Sequence, residues 1–96
     1  MATYIEIITS PNCPHSPKAV RVAQKVVSEM NSVILHEVSM ITEAGRARAE
    51  QYGVESTPAI AVNGQIAYVG VPGEKRLKHI IDDAVREERQ KTNYFF

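Results

Sequence analysis

The sequence predicts a single α/β domain in which a four-stranded mixed sheet is flanked by helices, in the order βαβαββα. Two observations carry this reading. Runs of strand length rich in β-branched residues alternate with amphipathic stretches, and one Asn-Gly pair joins two short apolar runs near the end of the chain. At 96 residues with a 44% apolar content, residues 1–96 hold one core and leave no room for a linker or a second domain.

Taken in order, residues 3–9, TYIEIIT, combine β-branched and aromatic side chains without a breaker and predict a strand. From Lys18 to Met30, Ala19, Val22, Ala23, Val26 and Met30 mark an apolar stripe, with Arg21, Lys25 and Glu29 opposite, so a helix with one buried face follows. SVILHEVS, residues 32–39, predicts a second strand. A strand-helix-strand order requires a right-handed crossover and makes the two strands parallel. Thr42 can cap a short alanine-rich helix that stops at Gly53, a residue that accepts the left-handed conformation common at helix ends. AIAV then meets QIAYV across Asn63-Gly64, a pair suited to a type I′ hairpin turn. Leu77, Ile80, Ile81, Ala84 and Val85 recur at helical spacing behind Gly73 and Glu74 and predict a last amphipathic helix. Residues 91–96, ending in Tyr94-Phe95-Phe96, are read as a tail that either docks on the domain, moves freely or meets a partner.

Charge and cysteine count narrow the function. Eleven Lys and Arg balance eleven Asp and Glu, so no global field draws in nucleic acid or an anionic membrane. No run approaches the roughly eighteen apolar residues of a membrane helix, and the N-terminal stretch lacks the basic-then-apolar pattern of a secretory signal. The expected setting is the cytoplasm. One cysteine cannot form an internal disulfide, and histidines at 15, 36 and 79 are too scattered for a local metal motif; no metal and no cofactor are expected.

That cysteine is Cys13, in SPNCPHSPKAV, where the first strand gives way to the first helix. Ligands of open α/β sheets gather at such junctions. A thiol there also meets the unpaired N–H groups and positive dipole end of the helix, which favour the thiolate and can bring a pKa of about 8.5 down to roughly 3.5–7.5. The alternative is an inert small hydrophobe in a loop. Ser16, followed by Pro17, suits helix initiation as an N-cap; were Cys13 itself the cap, Pro17 would forfeit a helical hydrogen bond, so an irregular first turn is expected.

Three stretches make the chain resemble the thioredoxin and glutaredoxin superfamily, in particular its small archaeal and bacterial members: Cys-Pro-His-Ser after the first strand, VESTPAIAVNG at 54–64, and YVGVPGEKRLKHII at 68–81. The resemblance implies a thioredoxin fold, thiol-disulfide exchange with Cys13 as nucleophile, and a cis Thr57-Pro58 pair bordering the site and presenting its backbone to substrate. An X-Pro bond in a folded protein is cis in only about 5–6% of cases, so the cis assignment comes from the resemblance. The Pro14-His15 pair is similar to that of the periplasmic disulfide-forming oxidases, which implies an acidified thiol tuned by its neighbours. The glutaredoxin features are incomplete: no basic residue precedes Cys13, and Gly70-Val71-Pro72-Gly73 replaces the Gly-Gly turn used with glutathione.

Ser16 stands where dithiol members carry the cysteine that attacks the mixed disulfide. Whether native or put in place of a resolving cysteine, it makes the protein monothiol. Its hydroxyl can donate to the Cys13 thiolate, and an external thiol must release the adduct. The implied partners are a protein or low-molecular-weight disulfide and a separate reductase or thiol reductant. Two other readings stand beside this one, a non-catalytic thioredoxin-fold adapter for protein partners and an iron-sulfur carrier in which two chains each supply Cys13. Glu6, on the first strand, must be paired if ionised; a proton relay beneath Cys13 is the weaker reading of it. His36 and His79 read as ordinary surface or edge residues.

Overall fold

A computed structural model describes residues 2–94, with side-chain surroundings given through Glu88. Strands β1 (Thr3–Thr9), β2 (Val33–Ser39), β3 (Ala59–Val62) and β4 (Gln65–Val69) form one sheet in the order β2-β1-β3-β4. Helices α1 (Ser16–Ser28), α2 (Glu43–Gln51) and α3 (Glu74–Tyr94) complete the order βαβαββα. β1 pairs in parallel with β2, from Thr3 opposite Val33 to Thr9 opposite Ser39. It pairs antiparallel with β3, and β3 with β4, across a register shift between Ile60 and Ala61.

Strand alternation sorts the core into two layers. Ile5, Ile7, Ile60 and Val62 point to one face of the sheet, where Ala19, Ala23 and Val26 of α1 and Leu77 and Ile81 of α3 cover them. On the other face Ile8 and Ala59 pack against Ala49 of α2, with Val38, Tyr52 and Ile66 around them. Full burial of an Ile or Leu side chain contributes about 1.5–3 kcal/mol, and the first layer holds most such residues. α2 is the thinner cover, and Tyr4 and Ile34, 45% and 40% exposed, lie beyond its reach.

The turns follow the residues at them. Asn63 and Gly64 both take positive φ, 48° and 86°, as a type I′ turn requires. Thr42 caps α2 by accepting from the Gly45 backbone N–H at 2.9 Å. Gly45 serves a second purpose: a Cβ there would lie 1.8 Å from the Ser39 carbonyl oxygen, so only glycine lets the first turn of α2 close onto the end of β2.

Two sequence expectations shift. α1 starts at Ser16 rather than Lys18, and its N-cap is His15, with no side-chain cap hydrogen bond. Ser16 is therefore the first helical residue and not the cap, because its hydroxyl is engaged by the loop before the helix. α3 continues through Tyr94, which carries helix into the segment read as a tail; Phe95 and Phe96 lie outside the described residues.

Candidate active site around Cys13

Residues 10–16 leave β1 through two consecutive turns. The Cys13 N–H donates to the Ser10 carbonyl at 3.1 Å, and the Ser16 N–H donates to the Cys13 carbonyl at 3.3 Å. Pro17 has no N–H to offer the Cys13 carbonyl, so the tighter bond from Ser16 takes its place and the first turn of α1 is irregular. Ser16 is 4% exposed, and its hydroxyl accepts from the Ser10 N–H at 3.3 Å. That bond ties the start of α1 back to the end of β1. Cys13 stays half-buried at the rim, while Pro14 and His15 are exposed.

The second wall is the Thr57–Pro58 segment that leads into β3. Its peptide bond is cis, Pro58 is buried, and the Cys13 Sγ donates to the Thr57 carbonyl oxygen at 3.1 Å. The Pro58 carbonyl in turn accepts from the Gly70 N–H at 2.7 Å, so the segment is braced from behind by the end of β4. Cys13, Ser16, Thr57 and Pro58, up to 45 positions apart in the chain, thus meet at one end of the sheet.

Once the thiol loses its proton, the Thr57 carbonyl has nothing to accept and the balance passes to donors. The Ser16 hydroxyl is the largest influence, followed by the Thr57 side chain and, after a smaller opposing effect of burial, the backbone N–H groups of His15 and Ser16. Together they hold the Cys13 thiol down to about 7. About half of it is then thiolate at neutral pH, the form that attacks disulfides. His15 contributes through its backbone N–H; its ring, turned to water, is not among the influences on the sulfur.

An open groove of about 410 Å³ runs beside the thiol, between the first turn of α1 and the C-terminal ends of β1 and β2. Cys13 and Ser16 form one wall, Glu37 and Ser39 the other. The 4% exposed Thr9 donates its hydroxyl to Glu37 Oε2 at 2.8 Å. Sequence reasoning missed Glu37. The parallel register, which only the folded sheet supplies, puts this residue, two before the end of β2, on the same face as Thr9.

Glu6 has another role than the relay considered from sequence. Its carboxylate, 12% exposed, receives two hydrogen bonds from Arg48, at 2.9 and 3.0 Å, and one from the Tyr52 hydroxyl. Arg48 also lies over the Tyr52 ring, 4.8 Å from its centroid. The arginine holds the Glu6 carboxyl below the usual carboxylate range, against the opposing effect of burial. All three groups serve to fasten α2 to β1. His36 stacks on Tyr4 at 5.2 Å and meets its hydroxyl at 2.9 Å; His79 pairs with Asp83 on the surface of α3. Among the described residues no three His, Cys, Asp or Glu side chains come together as a metal site, and no helix is long and apolar enough to cross a membrane.

Comparison with known proteins agrees with this fold. The thioredoxin domain family model matches residues 3–82. A probable thioredoxin of Methanothermobacter marburgensis is 35% identical over 86 residues, covering 88% of this chain and 99% of that one. A thioredoxin of Methanocaldococcus jannaschii is 36% identical, covering 80% and 89%. Among solved structures, a protein disulfide oxidoreductase from Aeropyrum pernix superposes with a TM-score of 0.74 at 36% identity, covering 90% of this chain and 38% of the larger protein. The thioredoxin of the same organism shares the fold, with a TM-score of 0.65 at 20% identity over 85% of this chain and 74% of that one. The chain belongs to the thioredoxin domain family.

Proposed function

We propose that the protein is a monothiol thiol-disulfide oxidoreductase. Cys13 thiolate attacks one sulfur of a substrate disulfide, a new Cys13–substrate disulfide forms, and the other substrate sulfur leaves as a thiolate. A second thiol, supplied from outside, then attacks the mixed disulfide and frees Cys13. Ser16 takes no covalent part, because an alcohol of ordinary acidity does not displace a thiolate; it donates to the Cys13 sulfur. Thr57 and Pro58 border the thiol and offer backbone to an extended substrate chain. Pro14 and His15 shape the turn, and the backbone N–H groups of His15 and Ser16 point to the sulfur. A cytoplasmic setting suits this scheme, since low-molecular-weight thiols are kept reduced there and can resolve the adduct.

The observation that carries the proposal is the meeting of a half-buried thiol, acidified to about 7, with the Ser16 hydroxyl and the Thr57–Pro58 segment. Names of the relatives, thioredoxin and protein disulfide oxidoreductase, support the same class of chemistry. The test is intact mass after exposure to a neutral small disulfide, 2-hydroxyethyl disulfide. A single adduct on the wild type, stable after removal of excess reagent and released by dithiothreitol, is the expected result. Cys13→Ser takes up none. A wild-type protein that forms no adduct at neutral pH would instead favour an adapter that binds partners without exchange.

A further inference from the structure

The groove beside Cys13 has one charged wall and no opposing charge. Glu37 stands on β2, on the sheet face that carries Thr9, and Thr9 donates to one of its oxygens at 2.8 Å. Among the described residues the other oxygen has no hydrogen-bond partner. Among the described residues no Lys, Arg or His is ion-paired with Glu37, and none lines the groove. Lys18 and Arg21 lie on the next turns of α1 but outside the lining. His36, the chain neighbour of Glu37, is held by Tyr4 on the opposite face of the sheet. A carboxylate fixed in this way acts on whatever shares the groove, and a cleft bearing one sign of charge raises the local concentration of the other.

On this basis we propose that Glu37 is a specificity-determining residue of the Cys13 site: the groove it shares with Cys13 admits disulfides with a positively charged group next to the reacting sulfur and disfavours those with a carboxylate there. The inference rests on Cys13 being the attacking thiol. A disulfide that reacts at Cys13 must bring its substituents into the space between α1 and the ends of β1 and β2, which Glu37 borders. The bond made and the bond broken are those of ordinary exchange, with Cys13–S formed, S–S cleaved and one substrate thiolate released. Glu37 neither gives nor takes a proton. It biases which disulfide arrives, and it is absent from the influences on the acidity of the thiol.

Three symmetric disulfides test this: cystamine, which is cationic, 2-hydroxyethyl disulfide, which is neutral, and 3,3′-dithiodipropionate, which is anionic. Rates of adduct formation on the folded protein are followed by intact mass at low ionic strength. Each is divided by the rate of the same reagent with N-acetylcysteine amide, which removes differences in intrinsic reactivity. The wild type is expected to favour cystamine over dithiodipropionate by about five- to tenfold, the size of one charge interaction across several ångströms of partly solvated space. The ratio falls toward one in about 0.5 M salt as the charges are screened. Glu37→Gln, which keeps an acceptor for Thr9, brings the low-salt ratio close to one, and Glu37→Lys inverts it. A wild-type ratio of one, or a ratio unmoved by Glu37→Gln, overturns the proposal while leaving exchange at Cys13 intact. Failure of the neutral disulfide to react with the wild type overturns both readings together.

Discussion

Two polar clusters sit on one small sheet, and they use similar groups to opposite ends. At the Glu6–Arg48–Tyr52 cluster every charge has a partner: a nearly buried carboxylate is matched by a two-pronged guanidinium and a phenol. At the Cys13 end, donors surround a sulfur that still faces solvent, and its neutral form is tied to a single carbonyl. Complete pairing yields a fastening between α2 and β1. Donors arranged around a half-open atom stabilise its ionised form without enclosing it, which suits the nucleophile proposed for Cys13. Inserting or deleting partners in either cluster should therefore alter stability in one and reactivity in the other.

The largest effect is expected from Ser16→Cys. The backbone bond from Ser16 N–H to the Cys13 carbonyl defines a four-residue turn, whose end Cα atoms lie within about 7 Å. Disulfides bridge Cα separations of about 4.4–6.8 Å, so the variant can close a 13-to-16 disulfide and expel an adduct that the wild type is expected to retain. Insulin reduction with dithiothreitol as donor is expected to rise from near background to a readily measured rate. A variant that keeps the adduct and gains no reductase activity would show that the loop is not built for exchange.

On the other cluster, Arg48→Ala should leave the Glu6 carboxylate with the Tyr52 hydroxyl alone and lower the urea midpoint modestly, because the Arg48 side chain is half-exposed. The pH dependence is informative. Because the folded Glu6 pKa is lowered, its stabilisation is present above the ordinary carboxylate pKa and lost as pH falls through the folded value. Urea midpoints of wild type and Arg48→Ala should thus differ at pH 7 and converge in acid. Exchange at Cys13 is expected to be unaffected at temperatures where both are folded.

Legibility in the sequence divides along the same line. The strands, the Asn63-Gly64 turn and the amphipathic helices were all readable, because each rests on a local period or a local turn residue. Cys13 was readable as a thiol at a strand-to-helix junction. Glu37 and Arg48 were not, since their partners Thr9 and Glu6 are 28 and 42 positions away and only the β1–β2 register and the docking of α2 bring them together. Gly45, in the first turn of α2, has a tertiary reason that no local pattern carries, the approach to the Ser39 carbonyl. Ser16 was assigned to the cap position on residue type, whereas the turn preceding it recruits its hydroxyl for Ser10.

The two side-chain donors at the thiol should separate in the smallest effects. Ser16→Ala removes the largest influence on Cys13 acidity, so the midpoint of alkylation rate against pH moves up from about 7 toward the ordinary value near 8.5. With about half the thiol ionised before and about 3% at the upper limit, the rate at pH 7 falls by up to about fifteenfold. Thr57→Val removes the next influence while keeping the backbone carbonyl that accepts from Sγ, and its upward shift should be smaller. Because the valine is close in shape, the urea midpoint serves as a control that the Pro58 segment stays in place. If Thr57→Val moves the alkylation midpoint as far as Ser16→Ala does, the donor order at the sulfur is the reverse of the one described, and the hydroxyl on the β3 side is the stronger. If neither variant moves it, the backbone N–H groups of His15 and Ser16 alone hold the thiolate, and the start of α1 is sufficient to make Cys13 reactive.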